Sequence, residues 1–413
     1  MGIFGYLYTN SQYNIDVYKW IVSVLLFSFF GVGILTQKDY NEVYSYLIRF
    51  IYAICLIPML SVYAFFDGID FVNILYPLVF MLLLIFLLRK ISSQKVVEEK
   101  QIFKMPRILY INHLLLGICA ILAVGIWVIN GSPIILDLSY AREQRMQLRA
   151  NAMPTIMAYV FAFLGSTVFP YLFAKYIDEK KYVFSLISFA CGILLFFVNG
   201  MKTWLFLYVF FFFIIIVLKL GNGKIYRTCY LIDLAMLLLI MIAVFAFNRL
   251  HSFGMLSKLG RVLVAPNNIG FSFVDFFKQA EHPLLFLRES VLRYFFATPY
   301  AGGSDFFVNH GANASLTASR ANNGLWGDAY RNFGMVGIIV YPLLIAKIFN
   351  IVESNSRHMK PTLRIFTLFM VLWGAINNSF FTWLLTGGVF VIIVLEKLDR
   401  SNMDYDNEMQ LGT

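Results

Sequence analysis

VFSLISFACGILLFFVNGMKTWLFLYVFFFFIIIVLK, residues 183–219, is apolar almost throughout and too long for one crossing of a bilayer. A hydrocarbon core about 30 Å thick takes roughly 20 helical residues. Asn199-Gly200 interrupts the stretch near its middle, and such a pair marks a turn. The stretch therefore reads as a hairpin of two spans, 183–199 and 203–219, with Lys202 at the turn.

Runs of the same kind recur outward in both directions. They fall near 18–36, 46–66, 71–88, 108–129, 154–175, 228–247, 333–350, 363–380 and 382–397. With the hairpin this makes about eleven spans. Composition agrees. Of 413 residues, 60% are hydrophobic and only 14% are charged, against about 25% charged in soluble domains. The expected fold is all-α, a single polytopic membrane helix bundle over residues 1–413. The start, Met1-Gly-Ile-Phe-Gly-Tyr, lacks the basic region of a cleavable signal peptide, so the first span is expected to direct insertion. Cys55, Cys119, Cys191 and Cys229 lie in or beside apolar runs and read as buried thiols. The net charge of +10 is scattered among loops. That suits a positive-inside membrane protein and disfavours a nucleic-acid partner.

Lysine and arginine in short loops set the orientation. The 89–107 loop carries Arg89, Lys90, Lys95, Lys100, Lys104 and Arg107 and reads as cytoplasmic. Lys175, Lys180 and Lys181, then Lys219, Lys224 and Arg227, then Arg357, Lys360 and Arg364 fall on the same side. The 67–70 turn holds Asp67 and Asp70 with no base and reads as external. The amino terminus is then outside and the carboxyl terminus inside.

Two external intervals remain, a short loop at 130–153 and a large one at 248–332. Irregular polar backbone needs water or a protein interior, so recognition and chemistry are expected there. In the short loop Arg142, Arg145 and Arg149 share one face of a helix over 138–153. A basic stripe outside opposes the charge rule, and a lipid-linked phosphate or pyrophosphate is its natural partner through bidentate bonds. The plainer reading is a solvated helix with Asp137 and Glu143 as local partners. Lys202 suits an anionic ligand in the same way, and a snorkelling lysine is the alternative. In the large loop, Leu284–Phe296 reads as an interfacial amphipathic helix, with Leu284, Leu285, Leu287, Leu292, Phe295 and Phe296 opposite Arg288 and Glu289.

The large loop closes on Asn322-Asn-Gly-Leu-Trp-Gly-Asp-Ala-Tyr-Arg-Asn-Phe-Gly-Met-Val-Gly337 as it enters a span. This string resembles the O-antigen polymerases, the Wzy-type oligosaccharide repeat-unit polymerases. In that family an acidic residue, then Asn-Phe-Gly and a second Gly three residues on, opens the helix after the main periplasmic loop. The Gly200-Met-Lys-Thr203 turn is similar to the family's Gly-Ser-Lys/Arg-Thr/Ser turn. The layout of spans resembles the family over nearly the whole chain, while the residue match covers about twenty positions. The related O-antigen ligases carry a His-Asn pair before the first Gly, and no His stands near Asn322 and Asn323.

The resemblance implies a glycosyltransferase of the bacterial inner membrane, active on its periplasmic face. A growing glycan on undecaprenyl pyrophosphate would be the donor and a new lipid-linked repeat unit the acceptor. The product would be a surface polysaccharide, O-antigen or capsule. No metal or other cofactor is expected, and a chain-length regulator is a further expected partner beside the bilayer. Fixed cations would stabilise the departing pyrophosphate, and Arg142, Arg145, Arg149, Arg249, Arg320, Lys202 and Arg331 are the candidates. Asp328, Glu281, His282 and His310 are the candidates for the catalytic base. Two other classes stay open. A metal-dependent enzyme acting on polyprenyl-phosphate sugars would use Asp67 and Asp70. A flippase or transporter would need buried charge at mid-membrane.

Overall fold

A computed structural model describes residues 16–35, 42–65, 69–93, 111–135, 140, 144, 155–220, 231, 233–235, 238, 265–289, 292, 295–297, 299–300, 304, 324–385 and 387–411. All regular structure among them is helical. The helices are α1 (Val17–Leu35), α2 (Glu42–Phe65), α3 (Phe71–Ser93), α4 (Ile111–Ile129), α5 (Thr155–Asp178), α6 (Tyr182–Asn199) and α7 (Lys202–Leu220). They continue as α8 (Ala265–Gln279), α9 (Leu325–Ser356), α10 (Pro361–Asn377), α11 (Phe380–Leu384) and α12 (Val389–Leu411).

Among the described residues eight helical stretches are long and apolar enough to cross a membrane, the last running from α11 into α12, and α1 and α10 contain shorter apolar segments. The protein is a multi-pass membrane protein by helix length and hydropathy. The expected span at 228–247 lies largely outside the described residues. The hairpin is present: Gly200 takes a left-handed φ of 63° and its N–H donates to the Phe196 carbonyl at 2.6 Å.

α2 and α5 each contain one widened π turn, Tyr52–Leu56 and Leu164–Val168. A proline follows two residues after each, Pro58 and Pro170. Proline has no N–H to give, and its ring crowds the carbonyl four residues back. That carbonyl belongs to Ile54 or Ser166, inside the π turn, where the wider loop makes room.

The chain forms two compact units. The first comprises Met1–Gln94, Lys224–Ile348 and Leu372–Thr382. Within it the Tyr52 hydroxyl donates to the Phe27 carbonyl at 2.9 Å and the Ser23 hydroxyl to the Leu60 carbonyl at 3.1 Å, fastening α1 to α2. Arg49 pairs with Asp233 at 2.9 Å. α8 meets α9 where Gly270 leaves space for the Trp326 ring, which a Cβ would overlap.

The second unit comprises Lys95–Gly223, Phe349–Val371 and Trp383–Thr413. Small residues again receive aromatics, Gly165 the Trp204 ring and Gly192 the Tyr208 hydroxyl. Its polar core was not anticipated from the sequence. Lys175 pairs with Asp399, which also accepts from the Tyr171 hydroxyl and the Asn112 amide, each at 2.6 Å. Glu353, fully buried, accepts from Arg364 at 2.5 Å and Arg357 at 3.1 Å.

Candidate functional site

The string that carries the resemblance folds as the first turns of α9. That helix begins at Leu325, so Asp328–Asn332 is helical rather than loop. Asp328 is 2% exposed and Arg331 3%. Asp328 Oδ1 accepts from Arg331 Nε at 2.9 Å and Asn332 Nδ2 at 3.1 Å, and lies 2.8 Å from a second Arg331 nitrogen. Oδ2 accepts the Phe380 N–H at 2.8 Å. Arg331 also lies 3.5 Å from Glu289, which in turn accepts from the Ser304 N–H at 2.6 Å and the Ser304 hydroxyl at 2.5 Å. The guanidinium sits over the Phe273 ring, 5.7 Å from its centroid. A buried arginine thus ties two carboxylates together, and each carboxylate holds a further segment.

Gly334 breaks the helix after this cluster, with φ 56° and ψ −134°. The carbonyls of Arg331 and Asn332 accept from the Leu285 and Phe286 N–H groups at 3.0 and 3.2 Å. The Asn332 side chain accepts the Leu287 N–H at 3.0 Å. This pairing holds Phe286 and Leu287 at positive φ, 46° and 65°, a conformation that costs bulky residues about 1–3 kcal/mol each. The expected amphipathic helix over Leu284–Phe296 is therefore corrected at its start. Leu284 and Leu285 have no regular structure and Phe286–Glu289 is a turn. The backbone donors there serve α9, so helical periodicity in the side chains was a misleading signal. What precedes the turn is helical instead. α8 buries Phe271, Phe273 and Phe277, and Leu285 packs with the last two.

Glu281 and His282 follow the end of α8 and are exposed. The His282 carbonyl accepts the Tyr300 hydroxyl at 3.3 Å, and Tyr300 packs against Phe276 and Phe277. Both candidates thus belong to the unit that holds Asp328 and Arg331. Lys202 belongs to the other unit, where it is exposed at the first turn of α7. In that unit Ile135 packs on Phe196 with Phe197 and Leu205, so the described start of the 130–153 loop rests beside the Lys202 turn. The Gln144 N–H donates to the Tyr140 carbonyl at 3.1 Å, one helical bond within the expected basic helix. Arg142, Arg145, Arg149, Arg249, His310 and Arg320 lie outside the described residues, as does Asp67.

Sequence reading passed over a second cluster in the first unit. Asn73 of α3 donates to Asp275 of α8 at 2.6 Å, and Lys278 donates to the Asn73 side-chain oxygen. Burial, with the charge of Asp70, pushes the Asp275 carboxyl above its ordinary range, against the opposing pull of Asn73 and Lys278. The legible signal was the interval of three in Asp70, Asn73 and Tyr76 and in Asp275 and Lys278. Among the described residues no three His, Cys, Asp or Glu side chains gather as a metal site.

Comparisons with protein families, characterised proteins and solved structures give no match. What the fold defines is a class, a polytopic helical membrane protein whose first unit carries a built polar site at the start of α9.

Proposed function

We propose that the protein is an inner-membrane glycosyltransferase that polymerises undecaprenyl-pyrophosphate-linked oligosaccharide repeat units on the periplasmic face. One observation carries the reading. Two residues of the string that resembles the polymerase motif, Asp328 and Arg331, form a buried knot with Glu289 and Ser304 that fastens parts of the large polar interval to the start of a membrane helix. A loop that must grip a sugar between two lipid-linked chains needs such an anchor. The cluster of Asp70 and Asn73 with Asp275 supports the same orientation, because it joins the external turn to a helix of the large interval.

In the reaction a hydroxyl of the acceptor sugar attacks the anomeric carbon of the donor. The bond from that carbon to the pyrophosphate oxygen breaks, and undecaprenyl pyrophosphate leaves with the electron pair. Asp328 spends its oxygens on protein donors and Arg331 is shared by two carboxylates, so we assign both to holding the site. Glu281, His282 and Lys202 are exposed, and together with His310, Arg142, Arg145, Arg149, Arg249 and Arg320 they remain the candidates for base and pyrophosphate binding. A second reading is a metal-dependent glycosyltransferase that would use Asp67 and Asp70. Elongation of a lipid-linked repeat unit by the purified protein, with and without EDTA, tests the first reading and separates it from the second.

A further inference from the structure

Asp70, Asn73 and Tyr76 recur at intervals of three where α3 begins, and Asp275 and Lys278 keep the same interval on α8. The two rows meet. The Asn73 amide donates to Asp275 Oδ1 at 2.6 Å and accepts from the Lys278 ammonium. Lys278 lies 5.2 Å from the centroid of the Tyr76 ring, and Tyr330 of α9 stands edge-on to that ring at 4.9 Å. Asn73 is 3% exposed, whereas Asp70 and Lys278 are exposed and Asp275, Tyr76 and Tyr330 are half-buried.

The amide is thus a buried floor that uses both of its ends, fixing a carboxylate on one side and an ammonium on the other. Asp275 Oδ2 has no hydrogen-bond partner among the described residues. A pin between α3 and α8 requires only the Asn73–Asp275 bond. It does not require an open carboxylate oxygen beside an amine and two phenol rings. That combination suits a sugar, whose C–H faces lie on aromatic rings and whose hydroxyls seek carboxylate, amide and amine partners.

We propose that Asp275 is the proton acceptor for the attacking hydroxyl, on a saccharide-binding face completed by Asp70, Asn73, Tyr76, Lys278 and Tyr330. The inference rests on the polymerase reading given above. Oδ2 takes the hydroxyl proton as the oxygen's electron pair forms the bond to the anomeric carbon. The pyrophosphate departs with the pair from the broken bond, and Asp275 afterwards releases its proton to water. Partial burial and the charge of Asp70 favour proton uptake at Asp275, and Lys278 and the Asn73 amide temper it. A base so raised lies nearer the working pH, where general-base catalysis is most effective.

The test uses the full chain in detergent with an undecaprenyl-pyrophosphate repeat unit. Asp275→Asn keeps an oxygen for the Asn73 amide, so it is expected to melt like the wild type. It is expected to lose about 100-fold or more in kcat with little change in KM. Asp275→Glu is expected to keep partial turnover and to shift the acid limb of the pH–rate profile. Wild-type turnover and pH profile in Asp275→Asn would overturn the proposal and leave the polymerase reading standing. If Asp275→Asn fails to fold, an unshifted acid limb in Asp275→Glu would overturn it. A wild-type protein that elongates nothing would overturn both.

Discussion

Arg331 places two nitrogens on one oxygen of Asp328, Nε at 2.9 Å and the other at 2.8 Å, and so leaves the second oxygen to the Phe380 backbone. Both side chains are almost fully buried, at 4% and 3% exposure. Removing one partner of such a pair leaves an uncompensated charge. Arg331→Ala should therefore cost about 3–5 kcal/mol of stability, read as a lowered melting temperature in detergent. Arg331→Lys should fall between, because an ammonium cannot reproduce the guanidinium fork toward Asp328 and Glu289. A melt unchanged by Arg331→Ala would remove the knot from the account.

The two glycines of the motif are predicted to fail for different reasons. A Cβ at Gly337 would overlap the Ala329 carbonyl, which is backbone and cannot swing aside. Gly337→Ala should abolish the folded protein or lower its yield sharply. Gly334 holds φ 56° with ψ −134°, a region closed to side chains, so Gly334→Ala should cost about 1–3 kcal/mol. Gly117→Ala and Gly125→Ala are the controls, since a Cβ at either position meets nothing within 4 Å. Both should melt at or slightly above the wild-type temperature. Size-exclusion profiles and melting curves of the four variants check the series.

The membrane helices were legible because the signal is thermodynamic and local. A run such as Val183–Lys219 is apolar residue by residue, and one Asn-Gly pair is enough to divide it. The knot around Arg331 was legible only as a string. Its partners Glu289 and Ser304 lie far from it in sequence, and no periodicity connects them. The Leu284–Phe296 reading failed for a related reason. Its apolar spacing fits a helix, but its N–H groups are claimed by carbonyls that Gly334 leaves open on α9. In the same way Glu353 and Asp399 lie just past the expected spans 333–350 and 382–397, and their burial depends on Arg364, Lys175 and Tyr171 from other helices.

That second-unit network gives its own prediction. Lys175 and Asp399 pair with side chains only 9% and 5% exposed. Lys175→Met alone should destabilise by about 3–5 kcal/mol, whereas Lys175→Met with Asp399→Asn, which removes the unpaired charge and keeps an acceptor oxygen, should recover part of the loss. A double-mutant cycle on melting temperature checks this. Strictly additive losses would show that the pair contributes no coupling.

His358 sets a pH dependence. Burial chiefly, with the nearby Lys175 and Arg400, lowers its pKa from the ordinary 6.5, and Asp399 only partly offsets this. A histidine so shifted favours the folded state when neutral. Its contribution is full above 6.5 and is lost as the pH falls through the lowered folded value. Wild-type melting temperature should therefore drop across that acidic interval, and the drop should be smaller in His358→Gln. Parallel curves for the two proteins would contradict the assignment.

Chain elongation itself is the most direct test of the central claim. Purified protein should be incubated with undecaprenyl-pyrophosphate-linked repeat unit and the products separated by size, with EDTA in a parallel reaction. A ladder of lengthened glycans that survives EDTA and is lost in Arg142→Ala and Arg320→Ala is the expected result. A ladder abolished by EDTA would move the chemistry to a metal held near Asp67 and Asp70. No ladder from folded protein and a verified substrate would contradict the polymerase reading outright.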